Sequence, residues 1–280
     1  MIIDLRLRPP IPAWTDSGAF DSAMFYAIYP GFEPAPSAAE RSLELLLQEM
    51  DEAGIVTGVI MGRKASFGNV SNEGVKQFLE QYPKKFVGFI GIDLTDIPGG
   101  VKEIERYGKF DGFKGVSIEP GSAETPLRSD DPSLFPIYEA CLKYNLPISI
   151  SLSSTLSGLS GQDIDWARPV SIAQVAKKFP DLKIIVSHAA WPYAEEMVAV
   201  AIISPNVYVS PDIYIAVPGM LASQAYIDGA NLFLEDRTLF GTAYPSLSLK
   251  KGVEGFHSHA WRKEIISKIL YENAAKLLNL

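Results

Sequence analysis

Arg6, Arg8, Arg63, Asp93, Glu119, Ser151, His188, Asp212 and Tyr244 are scattered along the chain, yet each stands at or just beyond the end of a short apolar run. Their types make a chemical set. Guanidinium forks grip carboxylates in a bidentate manner, so Arg6, Arg8 and Arg63 predict a clamp for a small organic acid or lactone acid. His188, oriented by Asp212, predicts a general base or acid, with Glu119 as the second acid/base candidate. Ser151, Ser187 and Tyr244 offer hydrogen bonds to a developing oxyanion. No Gly-x-Ser-x-Gly elbow exposes Ser151 as a nucleophile. Plainer roles compete with these. The arginines could form a buried ion network with Asp4, Glu119 or Asp212, since structural pairs also occupy such places. His188 could be a core histidine satisfied by a backbone carbonyl.

Only a fold that gathers strand ends can bring these residues together. The first ten residues, 1–10, read as a strand of period two, with Ile3, Leu5 and Leu7 on one face and Asp4, Arg6 and Arg8 on the other. Further short apolar strands are predicted at 55–61, 86–92, 113–118, 146–152, 182–186, 207–209 and 238–240, separated by helical stretches. Ser37 and Glu40 form a capping-box pattern before the first long helix. Asp131 and Pro132 open another helix, whose Cys141 falls on the apolar face and reads as core. Strict alternation of strand and helix implies a parallel sheet with right-handed crossovers. Eight such units predict an α/β fold, a (β/α)8 TIM barrel, with an open doubly wound sheet as the runner-up. No Gly-x-Gly-x-x-Gly follows an early strand. In a barrel the chemistry sits at the C-terminal ends of the strands, where the polar set stands.

The 280 residues read as one domain, 1–280, with a Pro- and aromatic-rich insertion at 9–36 as lid or interface. A net charge of −8 without a basic stretch argues against nucleic-acid binding. The single cysteine excludes an intramolecular disulfide and fits a reducing compartment. No leader peptide and no apolar run of about 18 residues is visible. The expectation is a cytoplasmic protein, a homo-oligomer, with a small carboxylated substrate and neither nucleic-acid nor membrane partners.

Several segments carry a resemblance: Met1-Ile2-Ile3-Asp4, Tyr82-Pro83 to Phe89, Leu146-Pro147-Ile148, Phe179-Pro180-Asp181-Leu182 leading to His188, Leu239-Phe240-Gly241-Thr242-Ala243-Tyr244-Pro245, and Ile269–Ala274. In this order they resemble the amidohydrolase-related family, in its aminocarboxymuconate semialdehyde decarboxylase-like branch. The resemblance implies a (β/α)8 barrel holding a catalytic divalent metal. It also implies Asp-x-His-x-His on the first strand, a histidine ending the fifth and an aspartate in the eighth. Those positions here are Arg6, Arg8, Ser151 and Ala243, and only His188 remains of the ligand set. A hydrolytic zinc site needs about three protein ligands, and guanidinium repels a cation. His257-Ser258-His259 lies after the last strand and reads as surface. The expectation is therefore no metal and no other cofactor. It is also a metal-independent hydrolase of lactonase type, with a lyase (decarboxylase or hydratase) and a non-catalytic binding or assembly barrel as alternatives.

Overall fold

The structure, a computed structural model, describes all residues except 17, 22–33, 67 and 218. Seven parallel strands follow in sequence: β1 (Ile2–Leu7), β2 (Ile55–Met61), β3 (Phe86–Gly91), β4 (Phe113–Ile118), β5 (Ile148–Ser153), β6 (Ile184–Trp191) and β7 (Val207–Ser210). Each pairs with the next in chain order. The expected eighth strand, 238–240, is only bridges. Thr238 pairs with Val209, and Tyr244 with Leu7. Leu239 N donates to Val209 O at 2.9 Å and Leu5 N to Phe240 O at 2.9 Å, so the segment joins β7 to β1 and closes the ring. The fold is the expected α/β barrel of the (β/α)8 type.

Helices cover the outside because their apolar stripes need the outer strand faces. Among them are α1 (Leu43–Glu52), α2 (Asn72–Gln81), α3 (Ile97–Tyr107), α4 (Phe135–Lys143) and α5 (Val170–Lys178). After these come α6 (Ala194–Ile203), α7 (Ser223–Leu232) and α8 (Leu249–His257). Ser42, not Ser37, caps α1, its side chain accepting from Leu45 N. Ser37 belongs to a separate four-residue turn, and its buried hydroxyl serves another purpose described below. Cys141 is fully buried, as expected of a core residue, and burial pushes its thiol up.

Two apolar layers result. An inner one gathers Ile3, Leu5, Val59, Val87, Phe89 and Ile185 inside the ring, with Ala274, Leu277 and Leu278 of the last helix packed into it. The outer one lies between strands and helices and contains Ile2 and Leu7. β1 therefore does not keep one alternation throughout. Ile3 and Leu5 face the inner layer and Leu7 the outer, and the β1–β2 register slips between Asp4 and Leu7. One extra residue there, a bulge, restarts the alternation. It lets Arg6 and Arg8 address the barrel mouth although Leu5, beside Arg6, is also inside.

Of the 9–36 insertion, Phe25, Tyr26, Tyr29 and Phe32 lie outside the described residues. Trp14 and Phe20 are buried against the barrel rim.

Candidate active site

Glu119 is the electrostatic centre of the mouth. It leaves the end of β4 buried, and its Oε1 accepts from Arg6 Nη2 at 3.3 Å and Arg63 Nη2 at 3.3 Å. Its Oε2 lies 3.2 Å from Arg63 Nε. Burial pushes the Glu119 carboxyl up, but the guanidiniums of Arg63, Arg6 and Arg8 together outweigh burial and hold it below the usual range. A carboxylate so held is a counter-ion to the arginines, an arrangement that weighs against the acid/base role expected of Glu119.

Arg63 reaches this position because β2 and β3 approach unusually closely just before it. A Cβ on Gly62 would sit 2.2 Å from Gly91 N, so only glycine allows the contact. Arg6 is held from the far side of the ring, with Nη2 donating to Ser151 Oγ on β5 at 3.1 Å. Its Nε and Nη1 meet no acceptor among the described residues. Arg8 differs in kind. Its Nη1 donates to the carbonyls of Ala243 (3.2 Å) and Tyr244 (3.4 Å), and it forms no ion pair among the described residues. Burial, then Arg63 and Arg6, lower its pKa well below the ordinary arginine value. Guanidinium nevertheless remains charged at any working pH. The mouth thus holds three guanidiniums around one ion-paired carboxylate, Glu119, and is poised for an anion.

His188 and Asp212 stand opposite. Asp212 Oδ2 accepts from His188 N at 3.0 Å and lies 3.4 Å from His188 Nδ1, while Oδ1 accepts from Ser210 Oγ at 2.5 Å. Gly241 makes room for this carboxylate, since a Cβ there would be 2.7 Å from Oδ1. Burial lifts Asp212 to about 6 against the opposing pull of Arg6 and its hydrogen bonds. Burial, then Arg6, Arg8 and Arg63, hold His188 well below its ordinary value. At neutral pH the imidazole is neutral and its partner ionised. The backbone pays for this placement: His188, Ala189 and Ala190 have φ of +64°, +46° and +60°, and Asp212 has φ of +54°. Left-handed backbone costs a non-glycine residue roughly 1 kcal/mol each.

Of the expected site residues, the fold brings together Arg6, Arg8, Arg63, Glu119 and Ser151, with the His188–Asp212 pair beside them. Tyr244 is a correction. Its hydroxyl is bonded to Ser37 Oγ at 2.8 Å, and Ser37 in turn to Glu49 of α1 at 2.5 Å. It faces the helix layer, and its backbone carbonyl, not its hydroxyl, meets Arg8. Ser187 is likewise engaged, with Ser149 at 2.8 Å. Asp93 is exposed and caps its own turn at Thr95. Of the pair expected at the surface, His257 is exposed, whereas His259 is half-buried and bonds the Ile215 carbonyl at 2.7 Å.

Three residues outside the expected site set take part. The Trp14 ring centroid lies 5.6 Å and 5.4 Å from the Cζ atoms of Arg8 and Arg63. Tyr214 stacks on Trp191 at 4.8 Å and meets His188 edge-on at 5.8 Å. Asp4 accepts from Thr242 N (3.0 Å), Thr242 Oγ1 (2.6 Å) and Arg6 N (3.0 Å), pinning β1 to the closing segment. In the sequence Asp4 reads only as a counter-ion for the arginines and Trp14 only as part of the aromatic insertion, while Tyr214 leaves no trace.

Comparison with known proteins corrects two expectations. The chain is 32% identical over 79 residues to 2-amino-3-carboxymuconate-6-semialdehyde decarboxylase of Dictyostelium discoideum, covering 28% of this chain and 21% of that protein. The match thus spans about a fifth of that relative's length. A TIM-barrel protein from Bordetella bronchiseptica is 36% identical, with 99% of this chain and 98% of that one superposed at a TM-score of 0.88. A dihydroxybenzoic acid decarboxylase from Polaromonas sp. JS666, solved with manganese and the inhibitor 2-nitroresorcinol, is 19% identical at a TM-score of 0.70, covering 100% of this chain and 97% of that one. The expected hydrolase of lactonase type is overturned by these decarboxylases, which favour the lyase alternative. The expected absence of a metal cofactor is overturned by the manganese of the solved relative.

The donors present here nevertheless do not match such an ion. Where the family resemblance places imidazoles on β1 stand Arg6 and Arg8, both buried and cationic, and Ala243 has no donor atom. No group of three His, Cys, Asp or Glu able to hold a metal occurs among the described residues. The steps below are accordingly derived from side chains alone. The amidohydrolase pattern matches residues 3–280, and the chain belongs to the amidohydrolase family.

Proposed function

We propose that the protein is a lyase that removes CO2 from a small conjugated or aromatic organic acid bound at the C-terminal mouth of the barrel. The observation that carries this reading is Arg8, a buried guanidinium without an ion-pair partner among the described residues, next to Arg6 and facing the same mouth as His188. An anionic substrate supplies the missing countercharge. The decarboxylase names of relatives support the reaction type.

The roles follow from charge. Arg8 and Arg6 bind and orient the acid; Arg63 and Glu119 hold Arg6 in place. A guanidinium on a departing carboxylate stabilises the bound acid more than the CO2 it becomes, so the clamp contributes binding and orientation rather than acceleration. Acceleration is assigned to proton delivery. When the carbon–carbon bond to the carboxylate breaks, its electron pair stays on the substrate carbon and must take up a proton. His188 is the group placed to bring it. Three guanidiniums depress the free imidazole, and a bound carboxylate offsets part of that field, so His188 gains basicity when substrate arrives. Asp212, 3.4 Å from Nδ1, then balances the imidazolium.

The test uses 2,6-dihydroxybenzoate, the carboxylate counterpart of 2-nitroresorcinol, within a panel of hydroxybenzoates labelled at the carboxyl carbon. Labelled CO2 released by the protein and lost in His188→Asn supports the reading. Unchanged acids across the panel, or equal release from the His188 variant, would sink it.

A further inference from the structure

We infer that Trp14 is a positioning residue of the anion clamp, a neutral spacer that holds Arg8 and Arg63 at fixed places against their mutual repulsion. The inference rests on the clamp reading above for its functional consequence, though not for its physical basis. Arg63 is anchored by Glu119, but among the described residues Arg8 donates hydrogen bonds only to two carbonyls, and the neighbouring guanidiniums repel it. Such a side chain, buried and without an ion pair among the described residues, gains energy by moving toward water unless something else attracts it. The Trp14 ring is that attraction. It is fully buried and within 6 Å of both guanidinium carbons, at 5.6 Å for Arg8 and 5.4 Å for Arg63. That is the range in which the negative face of an indole attracts a cation, and desolvation strengthens the effect. One neutral ring therefore favours two like charges at once. A carboxylate in the same place would do so too, but it would cancel the charge that the substrate needs. Tryptophan keeps the clamp positive.

The location fits this role. Trp14 lies in the short helical turn Pro12–Thr15, six residues beyond Arg8, and packs into the outer core. Its position is set by the backbone leaving β1, not by the substrate. The clamp is thus preorganised before any ligand arrives, which spares the ordering cost of binding.

Two measurements decide the inference. The first needs no substrate: a double-mutant cycle in urea on the whole unliganded protein, pairing Trp14→Phe with Arg8→Met. The expected result is non-additive unfolding midpoints, with Trp14→Phe costing less once Arg8 is gone. Additive shifts overturn the inference, whatever the protein binds. The second is calorimetric binding of 2,6-dihydroxybenzoate to wild type, Trp14→Phe and Trp14→Leu. Affinity is expected to fall by roughly 3- to 30-fold in the leucine variant, the size of one or two cation–π contacts, with phenylalanine, a weaker partner for a cation than tryptophan, falling between leucine and wild type. In turnover the loss should appear in KM while kcat stays within about two-fold, since uniform binding is what is removed. Equal affinity in all three proteins overturns the positioning role. If the leucine variant does not fold, wild type against phenylalanine in the cycle still decides. If wild type does not bind the probe, the clamp reading fails and the cycle alone judges Trp14.

Discussion

Replacing Asp212 by Asn probes the electrostatics of the site most directly, because burial, not pairing, sets that carboxyl. The side chain is fully buried and its pKa is lifted from 3.8 to about 6. A carboxyl raised in the folded state is a penalty above its folded pKa, relieved as pH falls through about 6. The full penalty at high pH is about 3 kcal/mol for a displacement of this size. Between pH 8 and pH 5 the linkage integral returns about 1 kcal/mol of it. His188 works in the opposite sense. Its imidazole is held well below 6.5, so the unfolded chain alone takes up a proton as pH falls below 6.5. That costs stability on acidification. The two effects oppose each other in the wild type, and its pH–stability curve alone does not separate them. The difference between wild type and Asp212→Asn removes the groups common to both and leaves the carboxyl together with its 3.4 Å contact to His188. Asn keeps an acceptor for His188 N, and the Ser210 hydroxyl can turn to accept. The assay is urea unfolding of both proteins at pH 8 and pH 5. The stability of the variant relative to wild type should be about 1 kcal/mol less favourable at pH 5 than at pH 8. A constant difference, or one that grows more favourable on acidification, refutes the reasoning, because the latter means that Arg6 holds Asp212 low as an ion pair.

Other substitutions separate structure from chemistry. Glu119→Gln leaves Arg6 and Arg63 buried without their carboxylate and should cost about 3–5 kcal/mol in urea unfolding; adding Arg63→Met should recover part of the loss, and no recovery would contradict the counter-ion role. Tyr244→Phe removes the hydroxyl bonded to Ser37 at 2.8 Å and should cost about 1 kcal/mol of stability while leaving 2,6-dihydroxybenzoate affinity unchanged by calorimetry. A large loss of affinity would return Tyr244 to the site. Gly241→Ala places a methyl 2.7 Å from Asp212 Oδ1 and 3.4 Å from Arg6 Cβ. It should lower kcat at least about 10-fold, since small displacements at a proton-transfer pair are costly; full activity would show that the pair tolerates movement.

The barrel and the place of the site were legible in the chain. Short apolar runs alternating with amphipathic stretches prescribe a parallel α/β ring, because each strand needs both faces covered. A polar residue after each run prescribes a site at the strand ends. Cys141 in the core followed from local pattern as well. What local pattern could not carry was which way a side chain turns once strands pair. The Asp4–Leu7 slip is set by pairing with β2, so strict alternation assigned Leu7 to the wrong layer. Ser37 looks like a helix cap in sequence, and Tyr244 like a site hydroxyl. Each is instead the other's partner, 207 positions apart.

Sequence by itself determined the residue types: three guanidiniums, one imidazole and three carboxylates at strand ends, with arginine where a metal-binding pattern has histidine. Side-chain type fixes formal charge and donor inventory, and these are properties of a residue alone. Only the tertiary structure decided their states. Glu119 lies within 3.3 Å of two guanidiniums and becomes a counter-ion, whereas Asp212 lies in a buried pocket shaped by Gly241 and titrates near 6. The physical reason is that Coulomb energy and desolvation depend on distance and burial, and neither is written in the order of residues.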